Sequence, residues 1–302
     1  MAKSFKVTNK QQDQRLDLFL AEQLSTSRKK VKALIDQGRI CAGDKKVIIA
    51  SWKVQEGDTI QVREKDEVTL PRRKRYLKIW YEDPYLLVVE KPPGVACERT
   101  GQTLTSTLVD DLNDYLRRAH PGKPYPYIGL MHRLDRETSG LMVYSLSKQA
   151  NRLARDFRFH QIERRYLAIV EGPLRTSEGR INRGLKKDTR SGGRRMKTAS
   201  SSDPEQLRAV TDYIVKQRFP KFTLVEARLL TGRTHQVRVH FANLGHPVLG
   251  DKLYGSRTPA PRQMLHASYL EFEHPVTKKL MRFNSPPPKD FKRLLEGWQK
   301  AT

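Results

Sequence analysis

Apolar positions change their spacing several times along this chain, and each change marks an element. Leu16, Phe19, Leu20 and Leu24 recur at helical intervals, which predicts a helix with one apolar face. A second helix follows. Ser27 is placed to cap it, and Val31, Leu34 and Ile35 form its buried stripe. Arg28, Lys29, Lys30 and Lys32 occupy its other face, and Gly38 marks its end. Three short β-like runs come next, Arg39–Cys41, Val47–Ile49 and Thr59–Val62, with Gly43-Asp44 and Gly57-Asp58 as turns. Together these predict a small module over residues 13–68. Pro71 and the run Arg72, Arg73, Lys74 and Arg75 then read as a solvated basic linker over 69–75, because consecutive like charges repel.

From residue 76 to 295 short strand-like runs alternate with helices and loops. Trp80–Pro84 leads into Leu86–Val89, a compact apolar run of buried-strand type, and Lys91-Pro92-Pro93-Gly94 forces a turn. Gln149–Phe159 predicts a helix with Ala150, Leu153, Ala154 and Phe157 on one face and Ser147 as its cap. Arg165–Val170 and Phe222–Leu230 predict strands. His235–Leu244 predicts a helix with Val237, Phe241 and Leu244 inward, stopped by Gly245 and Pro247. Residues 184–208 are polar, basic and rich in Gly and Ser, which predicts a mobile loop that orders on a polyanion. No internal repeat is visible.

Charge changes this picture from a generic two-domain protein to one with a partner. The chain has 302 residues, with 58 Lys and Arg against 33 Asp and Glu, a net charge of +25. The basic residues cluster, which points to a polyanion and most simply to nucleic acid. Two cysteines, Cys41 and Cys97, are too few for a disulfide framework or a cysteine-rich zinc site, so a reducing cytoplasm is expected. Met1–Lys6 lacks the apolar core of a secretory signal, and no apolar run approaches the ~20 residues of a membrane span.

The densest chemistry lies in His132-Arg133-Leu134-Asp135-Arg136-Glu137-Thr138-Ser139-Gly140. A carboxylate flanked by guanidinium groups is favoured in its ionised form. Set in a cationic surface, Asp135 is a candidate nucleophile or base acting on a polyanion. His132, His235 and His240 raise the question of a metal. The five-residue spacing of the last two does not place both on one helical face, so no metal site is expected.

Four blocks in order make residues 76–290 resemble the RluA-type pseudouridine synthases, which isomerise uridine in RNA. They are Asp83-Pro84 through Val89-Glu90-Lys91-Pro92-Pro93-Gly94, the Asp135 run with Leu141-Met142-Val143, and Arg164-Arg165-Tyr166-Leu167-Ala168 with Glu171-Gly172. The fourth is Leu230-Thr231-Gly232-Arg233-Thr234-His235-Gln236-Val237-Arg238-Val239-His240, followed by Gly245-His246-Pro247, Gly250-Asp251, Tyr254-Gly255 and Leu265-His266-Ala267. The resemblance implies an α+β fold with a mixed, largely antiparallel sheet and flanking helices. It implies that Asp135 is catalytic, that Arg133 enters the space left by the flipped uridine, that Tyr166 packs on the target base, and that Arg233 pairs with Asp135. Arg136 and Arg238, in the same blocks, are read as RNA contacts. The isomerisation gains and loses no atoms, so no cofactor or metal is implied. Asp135 can add to the anomeric carbon or remove the ribose 2′ proton, and sequence leaves both open.

The module at 13–68 resembles the RNA-binding domain named after ribosomal protein S-four, through Arg15-Leu16-Asp17, Ser27-Arg28, Leu34-Ile35, Gly38-Arg39-Ile40 and Val54-Gln55-Glu56-Gly57-Asp58. That resemblance assigns structured RNA to Arg28, Lys29, Lys30 and Lys32. The combination implies a monomeric enzyme acting on large-subunit ribosomal RNA, with transfer RNA as the second choice. Two other readings are a non-catalytic ribosome-assembly protein and a hydrolase releasing the base, which would use two carboxylates. The chain departs from the family at Ala96-Cys97-Glu98-Arg99, where a histidine and proline are common, and at Arg164, where lysine is common.

Overall fold

The structure is a computed structural model that describes residues 3–36, 38–43, 45–47, 49–63, 77–99, 106–121, 127–189 and 195–299. The linker expected at 69–75 lies outside the described residues. The chain divides into two compact units, residues 1–74 with 99–106 and residues 75–98 with 107–302.

The first unit contains β1 (Lys3–Lys6), α1 (Leu16–Gln23), α2 (Arg28–Asp36), β2 (Ile40–Ala42), β3 (Lys45–Lys46) and β4 (Thr59–Val62). Its antiparallel sheet runs β1-β4-β2-β3. Leu16, Phe19, Leu20, Val31, Ile35, Ile40, Val54 and Ile60 are buried together, as the helical spacing predicted for the first five. The Ser27 hydroxyl accepts from the Lys30 N–H at 3.3 Å, and Gly38 takes φ 66° just past α2. Two details differ from expectation. β1 lies upstream of residue 13, where Lys3-Ser4-Phe5-Lys6 offers a single apolar residue to read; Phe5 pairs with Ile60. The strand expected at Val47–Ile49 is instead Lys45–Lys46, and Val47 turns into the core.

The second unit contains β5 (Lys78–Glu82), β6 (Leu86–Lys91), α3 (Leu108–Ala119), β7 (Gly129–Leu130), β8 (Ser139–Ser145), α4 (Arg152–Arg158), β9 (Glu163–Glu171), β10 (Glu178–Asn182), β11 (Leu185–Asp188) and β12 (Arg195–Thr198). It continues with β13 (Val210–Arg218), β14 (Phe222–Leu229), α5 (Gln236–Asn243), β15 (Leu265–Glu273), β16 (Leu280–Asn284) and α6 (Lys289–Gln299). The main sheet runs β10-β13-β14-β9-β15-β8-β6-β5, with β7 on β8 and β16 on β15. Among the described strands its one parallel pairing is β8 with β15, so the sheet is mixed and largely antiparallel, as expected.

Strands β6 and β8 are apolar on both faces because both faces are covered. Leu87, Val89, Met142 and Tyr144 join Leu108, Leu112 and Leu116 of α3 and Val237 and Phe241 of α5 in one core. Leu86, Val88, Leu141 and Val143 join Leu153 and Phe157 of α4 in another. Gly140 makes the parallel pairing possible: at φ 120°, its missing Cβ would stand 2.2 Å from the Ala267 carbonyl.

Two expectations are corrected in this unit. Leu244 is exposed, because α5 ends at Asn243 and the next residue falls off its inner face. The segment 184–208 is no simple loop: β11 and β12 pair as a hairpin, anchored by buried Leu185 and Met196 packing with Val239 and Tyr254. Among the described residues, no helix is long and apolar enough to cross a membrane.

Candidate active site

The run His132–Gly140 enters β8, and most of it is scaffold. His132 is half-buried and stacks on Phe157 at 4.3 Å, and its Nε2 accepts the Val143 N–H. Burial, aided by Arg164, pushes its pKa down to about 3, so it serves as a neutral acceptor. At the other end Thr138 and Ser139 are sealed into a polar network. The Gln263 amide donates to Thr138, and Arg262 donates to the Ser139 hydroxyl and the Glu137 carbonyl. Asp290 holds Arg262 at 2.7 Å, and His266 shares a hydrogen bond with Ser139 at 3.0 Å.

Between these anchors the backbone turns outward and carries Asp135. Lys91 fixes that turn from below. Its buried ammonium donates to the carbonyls of Pro92, Val95 and Arg136, each at 2.9 Å, tying the Pro92–Gly94 turn to the Asp135 loop. Burial pulls its pKa down to about 8. Cys97 adds a second tie, with its Sγ 3.1 Å from the Leu134 carbonyl and accepting the Leu134 N–H at 3.3 Å.

The carboxylate of Asp135 is 24% exposed and meets Arg238 at 2.7 Å. Arg238 sits on α5 and is 8% exposed, and Asp251, 2% exposed, takes its Nε and Nη2 at 2.6 and 2.9 Å. One guanidinium is thus fixed by a bidentate buried carboxylate and offers its third nitrogen to Asp135. Burial alone would lower the Arg238 pKa; Asp251 and Asp135 outweigh it and raise it. His235, at φ 57° before α5, lies with Nε2 3.7 Å from Asp135 and shares a hydrogen bond with the Tyr254 hydroxyl at 2.8 Å. Burial lowers its pKa, with Asp135 opposing.

This geometry corrects the expected pairing. Arg233 makes no bond to Asp135; its Nε donates to the Arg208 carbonyl at 3.0 Å. Arg233 belongs to the loop before α5, whereas Arg238 lies one turn into the helix, on the side that faces Asp135. Arg238, read as an RNA contact, is therefore occupied by two carboxylates. Sequence reading gave no role to Asp251, Lys91 or Arg262, although Gly250-Asp251 and Lys91 stood inside the quoted blocks.

Tyr166 is buried on β9 in the same core as Leu134. Burial raises its phenol pKa; Arg164 opposes this and Asp135 adds to it. Arg133 and Arg136 are exposed: Arg133 touches Glu98 at 3.2 Å, and Arg136 donates to the Gly94 carbonyl at 3.1 Å. The three histidines do not converge. His240 is enclosed by Thr211 and the Arg183 carbonyl, and no cluster of metal-ligand type occurs among the described residues.

The profile of the RNA pseudouridylate synthase family matches residues 85–243, which span β6, Asp135, β9 and α5. The chain belongs to that family. Membership makes it an isomerase that acts on RNA. Relatives match over nearly the whole length. An RNA pseudouridine synthase of Bacillus subtilis, YlyB, is 33% identical, with 97% of each chain covered. The ribosomal large subunit pseudouridine synthase D of Vibrio cholerae is 35% identical, covering 94% of this chain and 91% of its own. The solved structure of human RNA pseudouridylate synthase domain containing 1 superposes with a TM-score of 0.56 at 27% identity, covering 76% of this chain and 97% of its own.

The S4 domain profile matches residues 14–60, the first unit. There the basic face of α2 splits in two. Arg28 is drawn to Asp17 at 2.7 Å, and Arg15 reaches the same carboxylate at 3.0 Å. These partners, Arg15 foremost, hold the Asp17 carboxyl down at about 2. Lys29, Lys30 and Lys32 are exposed.

Proposed function

We propose that this chain converts uridines of large-subunit ribosomal RNA to pseudouridine, with Asp135 as the reacting carboxylate. The observation that carries the reading is the chain Asp251–Arg238–Asp135, which aims one partly exposed carboxylate from a buried, fixed guanidinium. A purely structural ion pair would be closed on both sides; this one keeps an open end.

In this reading the target nucleotide leaves its stack, at a cost of a few kcal/mol, and its base lies against the ring of Tyr166. Asp135 acts on the ribose, as nucleophile or as base, while Arg238 holds it and spreads its charge. Uracil turns about its freed bond and rejoins the sugar through carbon-5. Arg133, at the exposed lip of the same loop, fills the vacated stack, and Arg136 contacts phosphate. Lys29, Lys30 and Lys32 of the S4 domain grip structured RNA. The ribosomal substrate is favoured over transfer RNA by the Vibrio cholerae relative, named for the large subunit and aligned across both units. The protein works as a monomer in the cytosol.

Mapping pseudouridines in total RNA from cells with and without the gene tests this. Sites in large-subunit RNA should vanish on deletion, return with the wild-type gene and stay absent with Asp135→Asn. Loss confined to transfer RNA would replace the substrate, and sites that return with Asp135→Asn would remove Asp135 from the chemistry.

A further inference from the structure

Several arginines of this domain have an acidic partner. Arg165 has Glu163 at 2.9 Å, Arg180 has Asp212, Arg228 has Glu163, Arg262 has Asp290 and Arg282 has Glu271. Arg164 differs. It is 7% exposed, and its Nε and Nη2 are buried with no hydrogen-bond partner. No carboxylate of the described residues pairs with it, and burial lowers its pKa. A buried, unpaired guanidinium is costly to maintain. Its position is also particular. Arg164 is two residues from Tyr166 on β9, so both side chains stand on one face of the sheet.

The surroundings of Arg164 are cationic as well. Its guanidinium lies 5.6 Å over the Phe157 ring, and its Nη1 approaches Gly232, where a Cβ would stand 2.5 Å away. Gly232 is exposed, so the guanidinium tip lies just beneath the surface there. Arg233 follows and is tied to the Arg208 backbone. His160, held at φ 61°, has a buried Nδ1 without a partner. Burial lowers its pKa, and so do Arg233, Arg164 and Arg208 in that order. Three strands of chain thus bring three arginines and a histidine together, with no carboxylate among them.

We propose that Arg164, framed by Gly232, Arg233, Arg208 and His160, is a subsite for one backbone phosphate next to the uridine that packs on Tyr166. This rests on the reading of Tyr166 as the platform for the target base. A phosphate oxyanion supplies the charge that Arg164 lacks, and the planar fork of arginine matches two of its oxygens. Gly232 is the gate, because a side chain there would stand on the Arg164 Nη1 and close this approach from the surface.

The test titrates uridine, uridine 3′,5′-bisphosphate and inorganic phosphate into the full chain by calorimetry. The wild type should bind the bisphosphate at least about tenfold more tightly than uridine. Arg164→Met should cut that advantage below about threefold and leave uridine affinity unchanged. Gly232→Ala, whose methyl displaces the guanidinium, should act the same way and serves if Arg164→Met does not fold. The proposal fails if the wild type shows no preference or binds no bisphosphate. It also fails if the preference survives both substitutions, or if uridine is weakened as much as the bisphosphate, which would make Arg164 a reader of the base. The readout needs no turnover. Phosphate preference without mapped pseudouridine in large-subunit RNA sinks only the proposed function, and mapped pseudouridine without phosphate preference sinks only this one.

Discussion

Each unit of this protein holds a carboxylate against arginine, and the two arrangements run in opposite directions. In the S4 domain Asp17 is the centre: Arg15 and Arg28 both come to it, and its side chain is only 7% exposed. In the catalytic domain Arg238 is the centre. Asp251 immobilises it from the buried side, and Asp135 receives what remains. The first arrangement closes a carboxylate; the second presents one. An Asp–Arg pair therefore says little about chemistry until the partner holding the arginine is known.

The largest effect should come from removing one carboxylate at a time. Asp135→Asn is expected to lower isomerisation at least about 1,000-fold while RNA affinity stays within about twofold, since in the proposed mechanism the change removes the reacting group and little else. Asp17→Asn should leave turnover per folded molecule unchanged. Single-turnover rates on ribosomal RNA fragments check both, and equal losses in the two variants would erase the distinction between closed and presented carboxylates.

Next comes the identity of the arginine. Arg238→Met leaves Asp251 buried and unpaired, a situation that costs about 3–5 kcal/mol, and it should cut kcat nearly as far as Asp135→Asn. Arg233→Gln should keep kcat within about tenfold and act on KM, since the Arg233 side chain donates to the Arg208 carbonyl and not to Asp135. A larger kcat loss from Arg233→Gln than from Arg238→Met would restore the pairing expected from sequence.

That choice of arginine marks where sequence reading stops. The Asp135 run, α1, α2, β6, β9 and β14 were all legible, because local periodicity and contiguous motif residues carry them. Choosing between Arg233 and Arg238 depends on where α5 begins and on the left-handed turn at His235, which five residues of spacing do not encode. The pairing of β8 with β15 joins Ser139 to His266, far apart in the chain, and leaves no local pattern. The β11–β12 hairpin hid in a basic, glycine-rich composition because two buried residues, Leu185 and Met196, suffice to pin it. Composition also could not show that Arg28 differs from its lysine neighbours.

A smaller effect should separate the two carboxylates by pH. Asp17 has a folded pKa of about 2, below the ~3.9 of an unfolded aspartate. The depressed value means that its contribution is fully present above pH ~4 and is lost as pH falls towards ~2. With partners as exposed as Arg15 and Arg28, the contribution is on the order of 1 kcal/mol. Urea midpoints followed through Trp52, with Trp80 and Trp298 replaced by Phe, should drop between pH 5 and pH 3 in the wild type and stay flatter in Asp17→Asn. An identical pH response in both would mean that Asp17 is not the group that closes the S4 domain.

The smallest effect concerns how the S4 domain divides its positive charge. Arg28 is committed to Asp17, whereas Lys29, Lys30 and Lys32 have their side chains in solvent on the same helix. Each phosphate neutralised adds about 0.7–0.9 to the slope of log affinity against log salt. Replacing the three lysines with Gln should therefore flatten that slope by about 2 while leaving the urea midpoint unchanged. Arg28→Gln should do the reverse, lowering the midpoint and moving the slope by well under 1. Fluorescence anisotropy on a structured ribosomal RNA fragment, from low to moderate salt, gives both slopes. If Arg28→Gln flattens the slope as much as the triple variant, then Arg28 leaves Asp17 when RNA arrives. The S4 carboxylate would then be closed only while RNA is absent, and the contrast with Asp135 would hold for the free protein alone.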